Sequence, residues 1–441
     1  MFLPEYVKRC LQALNGAGFS AYAVGGCVRD ALLGRTPNDY DLCTNALPEQ
    51  IKAVFSGERL VLAGEKHGTV GVVTEGGVVE ITTFRTEGDY ADSRHPQWVR
   101  FVTNIEDDLS RRDFTVNAMA YSPETGLCDP FGGQADLENK ILRAVGDPRK
   151  RFREDALRIL RGARFSARFR LVPEAETERA MTELVLLLDL LARERVFEEV
   201  CKLLLWAQSE DLLRWEKLLT RVIPELAVTV GYDQHSRHHA HDLYTHTALA
   251  VAAVPPELPL RWAALLHDLG KPQTFTQDET GEGHYYGHAA CSAELADGVL
   301  RRLKAPNLLR EQVGLLIEKH MAPPEAERKF LRRWLSRYGA EMLGWMLKLQ
   351  RADVIATGTR ADTALFDRAE EILAELVAED ACLGLRDLAV NGWDLMALGL
   401  SGRQIGQCLD RLLEWVLEEK CTNEKEALLA AARIYQDENL Q

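Results

Sequence analysis

The sequence lacks paired cysteines, long apolar stretches, net positive charge and any repeat or low-complexity tract. Its nine cysteines are scattered singly, an odd number with no CxxC pair. Reduced thiols in a cytosol fit this better than a disulfide framework. The longest apolar runs, such as Leu184–Leu188 before Asp189, fall far short of the ~20 residues needed to span a membrane. No basic-then-apolar leader opens the chain, since Met1-Phe-Leu-Pro-Glu runs directly into an amphipathic pattern. The expectation is a soluble, unexported, cytoplasmic protein with no membrane partner. A net charge of −14 argues against non-specific coating of nucleic acid.

What is present is a sizeable core and one local excess of charge. With 441 residues, 46% of them hydrophobic, the chain has room for two to four domains at ~100–200 residues each. From Ile141 to Arg170 ten Lys/Arg stand against three Asp/Glu, a balance of 10 − 3 = +7. A basic stripe on an acidic chain marks where a polyanion could sit, although a solvated helix face is the plainer alternative.

Before that stripe the pattern is mixed. Pro4–Gly16 reads as an amphipathic helix stopped by Asn15-Gly16. Strand-like runs follow at Ala21–Val24, Asp39–Leu42, Leu60–Ala63, Thr69–Thr74 and Val78–Phe84, with a short helix from about Asp30 to Leu33. From Ile141 on, apolar positions recur three and four apart, broken by Pro148, Pro173, Pro224, Pro255-Pro256 and Pro323-Pro324. The expected division is a head at 1–140 on a mixed or antiparallel sheet, a helical neck at 141–225, a His-rich helical domain at 226–360 and a helical tail at 361–441.

Gly25-Gly26-Cys27-Val28-Arg29-Asp30 follows a strand and opens a helix. Paired glycines admit close approach of phosphates, the helix start offers free N–H groups, and Arg29 adds a cation. In Asp39-Tyr40-Asp41, positions i and i+2 of a strand share a face, so two carboxylates would converge as hard ligands for Mg²⁺. Asp-x-Asp alone is usually a solvated loop, and the glycine pair upstream is what raises the functional reading. Glu80 on a later strand is a candidate third ligand.

The run from Gly25-Gly26 through Val28-Arg29-Asp30, Leu32-Leu33-Gly34 and Asp39-Tyr40-Asp41 resembles the signature of the tRNA nucleotidyltransferase and bacterial poly(A) polymerase family. The resemblance implies an α+β fold with a head related to DNA polymerase beta. Arg111-Arg112-Asp113-Phe114-Thr115-Val116-Asn117-Ala118 resembles the family's ribose- and triphosphate-contacting motif, which makes Gly26, Arg29, Arg111, Arg112, Asp113 and Asn117 expected nucleotide ligands. Glu154-Asp155-Ala156-Leu157-Arg158 resembles its base-reading motif, with Arg161 one turn further on. The likeness is dense from about residue 20 to 205. It implies template-independent addition of CCA to tRNA from CTP and ATP, with no DNA partner. An A-adding enzyme or a poly(A) polymerase would share the head.

The chemistry of the base-reading motif stands on its own. On one helix, 154 and 155 lie four and three residues from 158, so an acid and an arginine would present together. The carboxylate accepts from the exocyclic amine of cytosine or adenine while the guanidinium donates beside it, mimicking a pairing edge. An ordinary helical salt bridge is the alternative. Between the motif blocks, Gly88–Pro96 is polar and breaker-rich. The resemblance implies there a flexible loop linked to the switch from C to A addition.

Nine of eleven histidines fall between His235 and His320. His246, His267, Asp268, His288, His320 and Asp353 form an ordered set of imidazoles and carboxylates suited to a transition metal between facing helices. The set resembles the HD phosphohydrolase superfamily at His246, His267, Asp268 and Asp353, which implies hydrolysis of phosphoesters with an ion such as Mn²⁺ or Ni²⁺. His235, His238, His239 and His241 read as loop residues. A phosphohydrolase whose head only binds RNA is the rival of another class, and the paired carboxylates of the head count against it. The tail, around Asn391–Leu395 and Gly402–Gly406, loosely resembles the tRNA-body region of the nucleotidyltransferase family, which implies a helical support for the body of the RNA.

Overall fold

The computed structural model describes residues 3–88, 99–236, 239–322, 325–358, 362–379 and 383–439. The chain divides into two compact units, Met1–Pro224 and Glu225–Gln441, each with cores of its own.

The first unit opens with α1 (Glu5–Gly16), which buries Val7, Cys10, Leu11 and Leu14, the apolar stripe of an amphipathic helix. Behind it stand β1 (Ala21–Val24), α2 (Gly26–Leu32), β2 (Asp41–Thr44), α3 (Pro48–Val54), β3 (Leu60–Val61), β4 (Thr69–Thr74) and β5 (Gly77–Thr83). A ribbon of β6 (Arg85–Glu87) and β7 (Val99–Phe101) stands apart from the main sheet. With β8 (Ala120–Ser122) and β9 (Gly126–Cys128), the main sheet has seven strands in the order β3-β4-β5-β2-β1-β8-β9. Only β2 and β5 run parallel; the other pairings are antiparallel, so the sheet is mixed.

Two local expectations are corrected. The second strand starts at Asp41, not Asp39, because its ladder partners begin only there: Asp41 faces Glu80 on β5, and Leu42 faces Ala23 on β1. Asp39 therefore lies in the loop that enters the strand. The short helix starts at Gly26 rather than Asp30, directly after Gly25 turns the chain at φ 76°.

Helices dominate the rest of this unit: α4 (Ile105–Ser110), α5 (Gly133–Glu138), α6 (Pro148–Glu154), α7 (Leu157–Phe169), α8 (Ala175–Glu183), α9 (Arg193–Leu204), α10 (Ser209–Arg214) and α11 (Glu216–Val222). A two-residue parallel bridge, β10 (Ile141–Leu142) with β11 (Val172–Pro173), ties their ends. Phe114 joins this helical part to the head. It is fully buried, with its ring 6.4 Å from Phe152 on α6 and 5.8 Å, edge-on, from Phe165 on α7. Aromatic packing thus seats both helices on the segment that carries Asp113 and Asn117.

The second unit is helical: α12 (Leu243–Ala253), α13 (Leu258–Leu266), α14 (Lys271–Thr274), α15 (His288–Arg302), α16 (Asn307–Lys319), α17 (Arg328–Tyr338), α18 (Ala340–Ala356), α19 (Ala364–Ala378), α20 (Gly392–Ala397), α21 (Arg403–Leu417) and α22 (Lys425–Asn439). A short ribbon, β12 (Thr276–Gln277) with β13 (Gly283–His284), follows α14. In α13 every residue from Leu260 to Leu266 is buried, the mark of a helix central to its bundle. Among the described residues no helix is long and apolar enough to cross a membrane.

Gly133 shows how tightly the head is packed near Asn117. A Cβ there would meet the Thr115 carbonyl oxygen at 2.2 Å, where the turn Thr115–Asn117 lies against α5. Backbone cannot yield as a side chain can, so Gly133→Ala is expected to cost roughly 2 kcal/mol or more. Thermal unfolding should show a clear fall in Tm; an unchanged Tm would mean that this contact is loose.

Candidate active site and candidate metal centre

A cleft of about 490 Å³ in the first unit is lined by Gly25, Gly26, Asp39 and Asp41 from the head and by Asp155, Arg158 and Arg161 from the helices. Arg29, Arg111, Arg112, Asp113 and Asn117 complete much of its wall. The structure therefore brings together nearly all residues singled out in the first unit. Glu80 and Glu154 do not line it. Glu80 stands beside Asp41 in the parallel register, and Glu154 stands behind Arg158.

The carboxylate end is electrostatically strained. Burial, then the charges of Asp39 and Glu80, push the Asp41 carboxyl up to about 6, with Arg112 opposing. Asp41 nevertheless keeps access to solvent through the cleft it lines. The charges of Asp39 and Glu80 disfavour that of Asp41, and a cation beside Asp41 would relieve this repulsion.

The glycine pair divides its labour. A Cβ on Gly25 would lie 2.9 Å from an Arg112 guanidinium nitrogen, and its φ of +76° independently favours glycine. Gly26 has ordinary room. Arg29 is buried under the Phe169 ring, 4.1 Å from its centroid, and donates to Asp30 Oδ1 and Asn117 Oδ1. Asn117 in turn donates to Asp113 Oδ1 at 3.0 Å, and Arg161 donates twice to Asp113 Oδ2 at 2.6 and 2.8 Å. Burial alone would raise the Asp113 carboxyl; Arg161 and Asn117 overcome it and hold it well below the usual carboxylate range. Arg111 and Arg112 both lean on Asp108, a fully buried acid that the sequence reading passed over. Its signal was the spacing, three and four residues before the arginine pair.

The base-reading motif is not one helix. α6 ends at Glu154 and α7 starts at Leu157, with Asp155 extended between them at φ −141°, ψ 106°. Asp155 is itself the reason: its Oδ1 accepts from the Leu157 N–H at 3.0 Å, capping α7 and breaking the run. The side chains of Asp155 and Arg158 consequently take different partners. Arg158 donates to Glu154 at 2.8 Å and to the carbonyls of Arg151 and Arg111. Asp155 accepts from Arg195 on α9 at 3.0 Å. Arg195 was missed because nothing local marks a residue 40 positions away. The remaining cleft arginines are Arg164, 3.2 Å from Glu199, and Arg168.

The basic stripe is likewise split. Arg149 is tied to Glu176 and Glu183, and Arg170 to Asp211, away from the cleft. Of the loop expected at Gly88–Pro96, everything from Asp89 on lies outside the described residues.

In the second unit the six expected residues meet. His246 Nε2 and His267 Nε2 stand 3.3 Å apart, with Asp353 Oδ1 at 3.0 Å and Asp268 Oδ2 at 3.1 Å from them, respectively. Asp268 turns its other oxygen to His288, 3.4 Å away, and His288 Nε2 faces His320 Nε2 at 3.2 Å. Two ligand groups thus share Asp268. The Nδ1 atoms of His267, His288 and His320 lie 2.9, 2.7 and 2.6 Å from backbone carbonyls. A carbonyl only accepts, so Nδ1 carries a proton and Nε2 is the nitrogen turned to the centre. Asp268 and Asp353 overcome burial to push His267 up to about 10, while burial and His267 push His320 down to about 4. His239 is more than a loop residue: its ring stands edge-on to His246 at 5.2 Å and lines an adjoining pocket of about 320 Å³ with Lys271, Tyr285 and Tyr286. His235 and His241 lie outside helices and strands, and His238 lies outside the described residues.

Comparison with known proteins follows this division. Residues 21–143 match the family described as Poly A polymerase head domain, and residues 288–432 match tRNA nucleotidyltransferase domain 2. The CCA-adding enzyme of Streptococcus thermophilus is 34% identical over 97% of both chains, and that of Bacillus velezensis is 33% identical over 96% of both. Among solved structures, the Bacillus stearothermophilus CCA-adding enzyme in complex with CTP superposes with a TM-score of 0.71, at 30% identity over 99% of both chains. With the cleft's geometry and near-full-length likeness in agreement, the chain belongs to the family of CCA-adding enzymes, which are tRNA nucleotidyltransferases.

Proposed function

We propose that this protein adds C, C and A in turn to the 3′ end of tRNA in the cytoplasm, taking CTP and ATP as substrates and using no nucleic-acid template. The observation that carries this reading is one cleft holding both a carboxylate cluster and, from another part of the unit, an acid and an arginine with part of their hydrogen-bonding capacity free. The head alone would serve a poly(A) polymerase equally well, but the full-length relatives quoted above are CCA-adding enzymes.

Asp39 and Asp41, with Glu80 beside them, are the residues that would hold Mg²⁺. The repulsion at Asp41 supports the fit, since a divalent ion relieves it. When bound, the ion supplies charge neutralisation at the α-phosphate and makes the attacking hydroxyl more acidic. The protein's own part is orientation. The Gly25 turn and Arg112 receive phosphates, and Asn117, held between Arg29 and Asp113, faces the ribose. Asp155 accepts from the amine of cytosine or adenine, while the N–H groups of Arg158 not bound to Glu154, Arg151 and Arg111 donate to the ring. Uracil and guanine offer the wrong pattern and would leave buried polar groups unpaired, which rejects them strongly.

Incubation with tRNA lacking its 3′ nucleotides, plus CTP and ATP, should give products three nucleotides longer; long A tails would instead support a poly(A) polymerase. Asp41→Asn should abolish addition by several orders of magnitude. In metal-free buffer the same change should raise Tm by roughly 1–3 °C, because it removes repulsion. Arg195→Ala frees the Asp155 carboxylate to rotate. Discrimination of CTP and ATP against UTP, measured as kcat/KM ratios, should fall roughly tenfold; unchanged ratios would remove Arg195 from base reading.

A second reading is favoured by the histidine cluster. Lone pairs of His288 and His320 aimed at one another across 3.2 Å are unfavourable without a cation between them, which fits a transition metal such as Mn²⁺ or Ni²⁺ in this cluster, on His246, His267, Asp268 and Asp353, with His288 and His320 beside them. Such an ion would supply an activated water for phosphoester hydrolysis. His267→Ala should lower bound transition metal measured by elemental analysis and abolish 2′,3′-cyclic phosphodiesterase or phosphatase activity. Wild-type metal content in that variant would end this reading.

A further inference from the structure

The cleft of the first unit is lined by eight arginines. Seven of them stand within ion-pair distance of a carboxylate, as set out above. Arg168 is the exception: among the described residues no acid approaches it within 4.0 Å. Its neighbours are aromatic. The guanidinium carbon lies 5.0 Å from the Phe169 ring centroid and 5.6 Å from that of Trp206, and its Nε is buried without a hydrogen-bond partner.

Other cations stand close to it. Arg29 covers Phe169 at 4.1 Å, Arg35 lies 5.3 Å from that ring, and the charge of Arg168 opposes those of Arg29 and Arg164. Two rings bind a cation modestly and cannot neutralise it. A guanidinium kept in a cleft beside like charges, with its planar fork unclaimed by protein, is arranged for an external anion. Arg168 is also ten residues along α7 from Arg158, about 15 Å along the axis. That separation is comparable to an extended nucleoside triphosphate whose base lies at Asp155 and Arg158, and it puts Arg168 beside Arg29, just after the glycine turn.

We propose that Arg168 is a phosphate ligand of the nucleotidyl-transfer cleft, held by Phe169 and Trp206 and closed by an anionic phosphate oxygen from the nucleoside triphosphate or from the RNA strand. The assignment rests on the nucleotidyl-transfer reading and names one residue beyond it.

The test is Arg168→Met, which keeps the packing against both rings and removes the charge, with Arg168→Lys as the conservative variant. KM for CTP, for ATP and for truncated tRNA should be measured separately, and the affinity for CTP should be measured by calorimetry without RNA. A rise of roughly tenfold in KM and dissociation constant for the nucleotides, with tRNA unchanged, identifies the triphosphate as the source. A comparable rise confined to tRNA identifies the RNA backbone. In either case Arg168→Lys should recover most of the loss and Tm should be unaltered. Arg149→Met serves as the control for net charge, because Arg149 is bound to Glu176 and Glu183 away from the cleft. Unchanged constants in Arg168→Met, or an equal rise in Arg149→Met, would overturn the assignment. A wild-type protein that adds no nucleotides would instead defeat the underlying reading, and CTP calorimetry would still decide the role of Arg168.

Discussion

The first unit's cleft depends on pairing seven of its eight guanidinium groups with acids, from the same turn or from another element. Without those acids, a cavity of about 490 Å³ lined by eight arginines would be driven apart by its own charge. Asp113 and Asp108 carry most of that burden. Asp113 binds Arg161 and Asn117, and through Asn117 it fixes Arg29; Asp108 gathers Arg111 and Arg112. Removing one partner from such a buried pair costs about 3–5 kcal/mol, because the survivor is left charged and alone. The acids therefore set where the cations point, and only what they leave unclaimed is available to a substrate.

Much of this was legible in the sequence because its signals are short-range. Gly25-Gly26, the two aspartates after it, and the arginine pair before Asp113 lie within runs whose spacing has direct geometric meaning. Where spacing was read through an assumed element, it misled. Asp39 and Asp41 were placed on one strand, but no partner strand reaches Asp39, so the ladder starts at Asp41. Asp155 and Arg158 were placed on one helix, but Asp155 prefers to cap the next one. Arg195 and Glu199, on α9, are joined to their partners on other elements only by the fold, and no local pattern announces them.

The second unit shows the reverse case. Its candidate ligands are spread from His246 to Asp353, and the structure brings this ordered set of imidazoles and acids together, five of the six buried. The sequence did not convey how the rings are oriented. That is decided by backbone carbonyls at or near helix ends, which take the Nδ1 protons of His267, His288 and His320 and turn the other nitrogen inward. His239 was undervalued for the same reason, since its place beside His246 depends on the fold.

The break at Asp155 has a mechanical consequence. Asp155, in extended geometry, joins α6 to α7, and side-chain bonds span that joint, from Arg158 of α7 to Glu154 and to the Arg151 carbonyl of α6. Its carboxylate is tied to the far side of that joint through Leu157 and to α9 through Arg195. Asp155 and Arg158 are thus held apart, each by partners of its own, and both line the cleft. A rigid single helix, with the acid and the arginine locked to each other, could offer only one edge in one place.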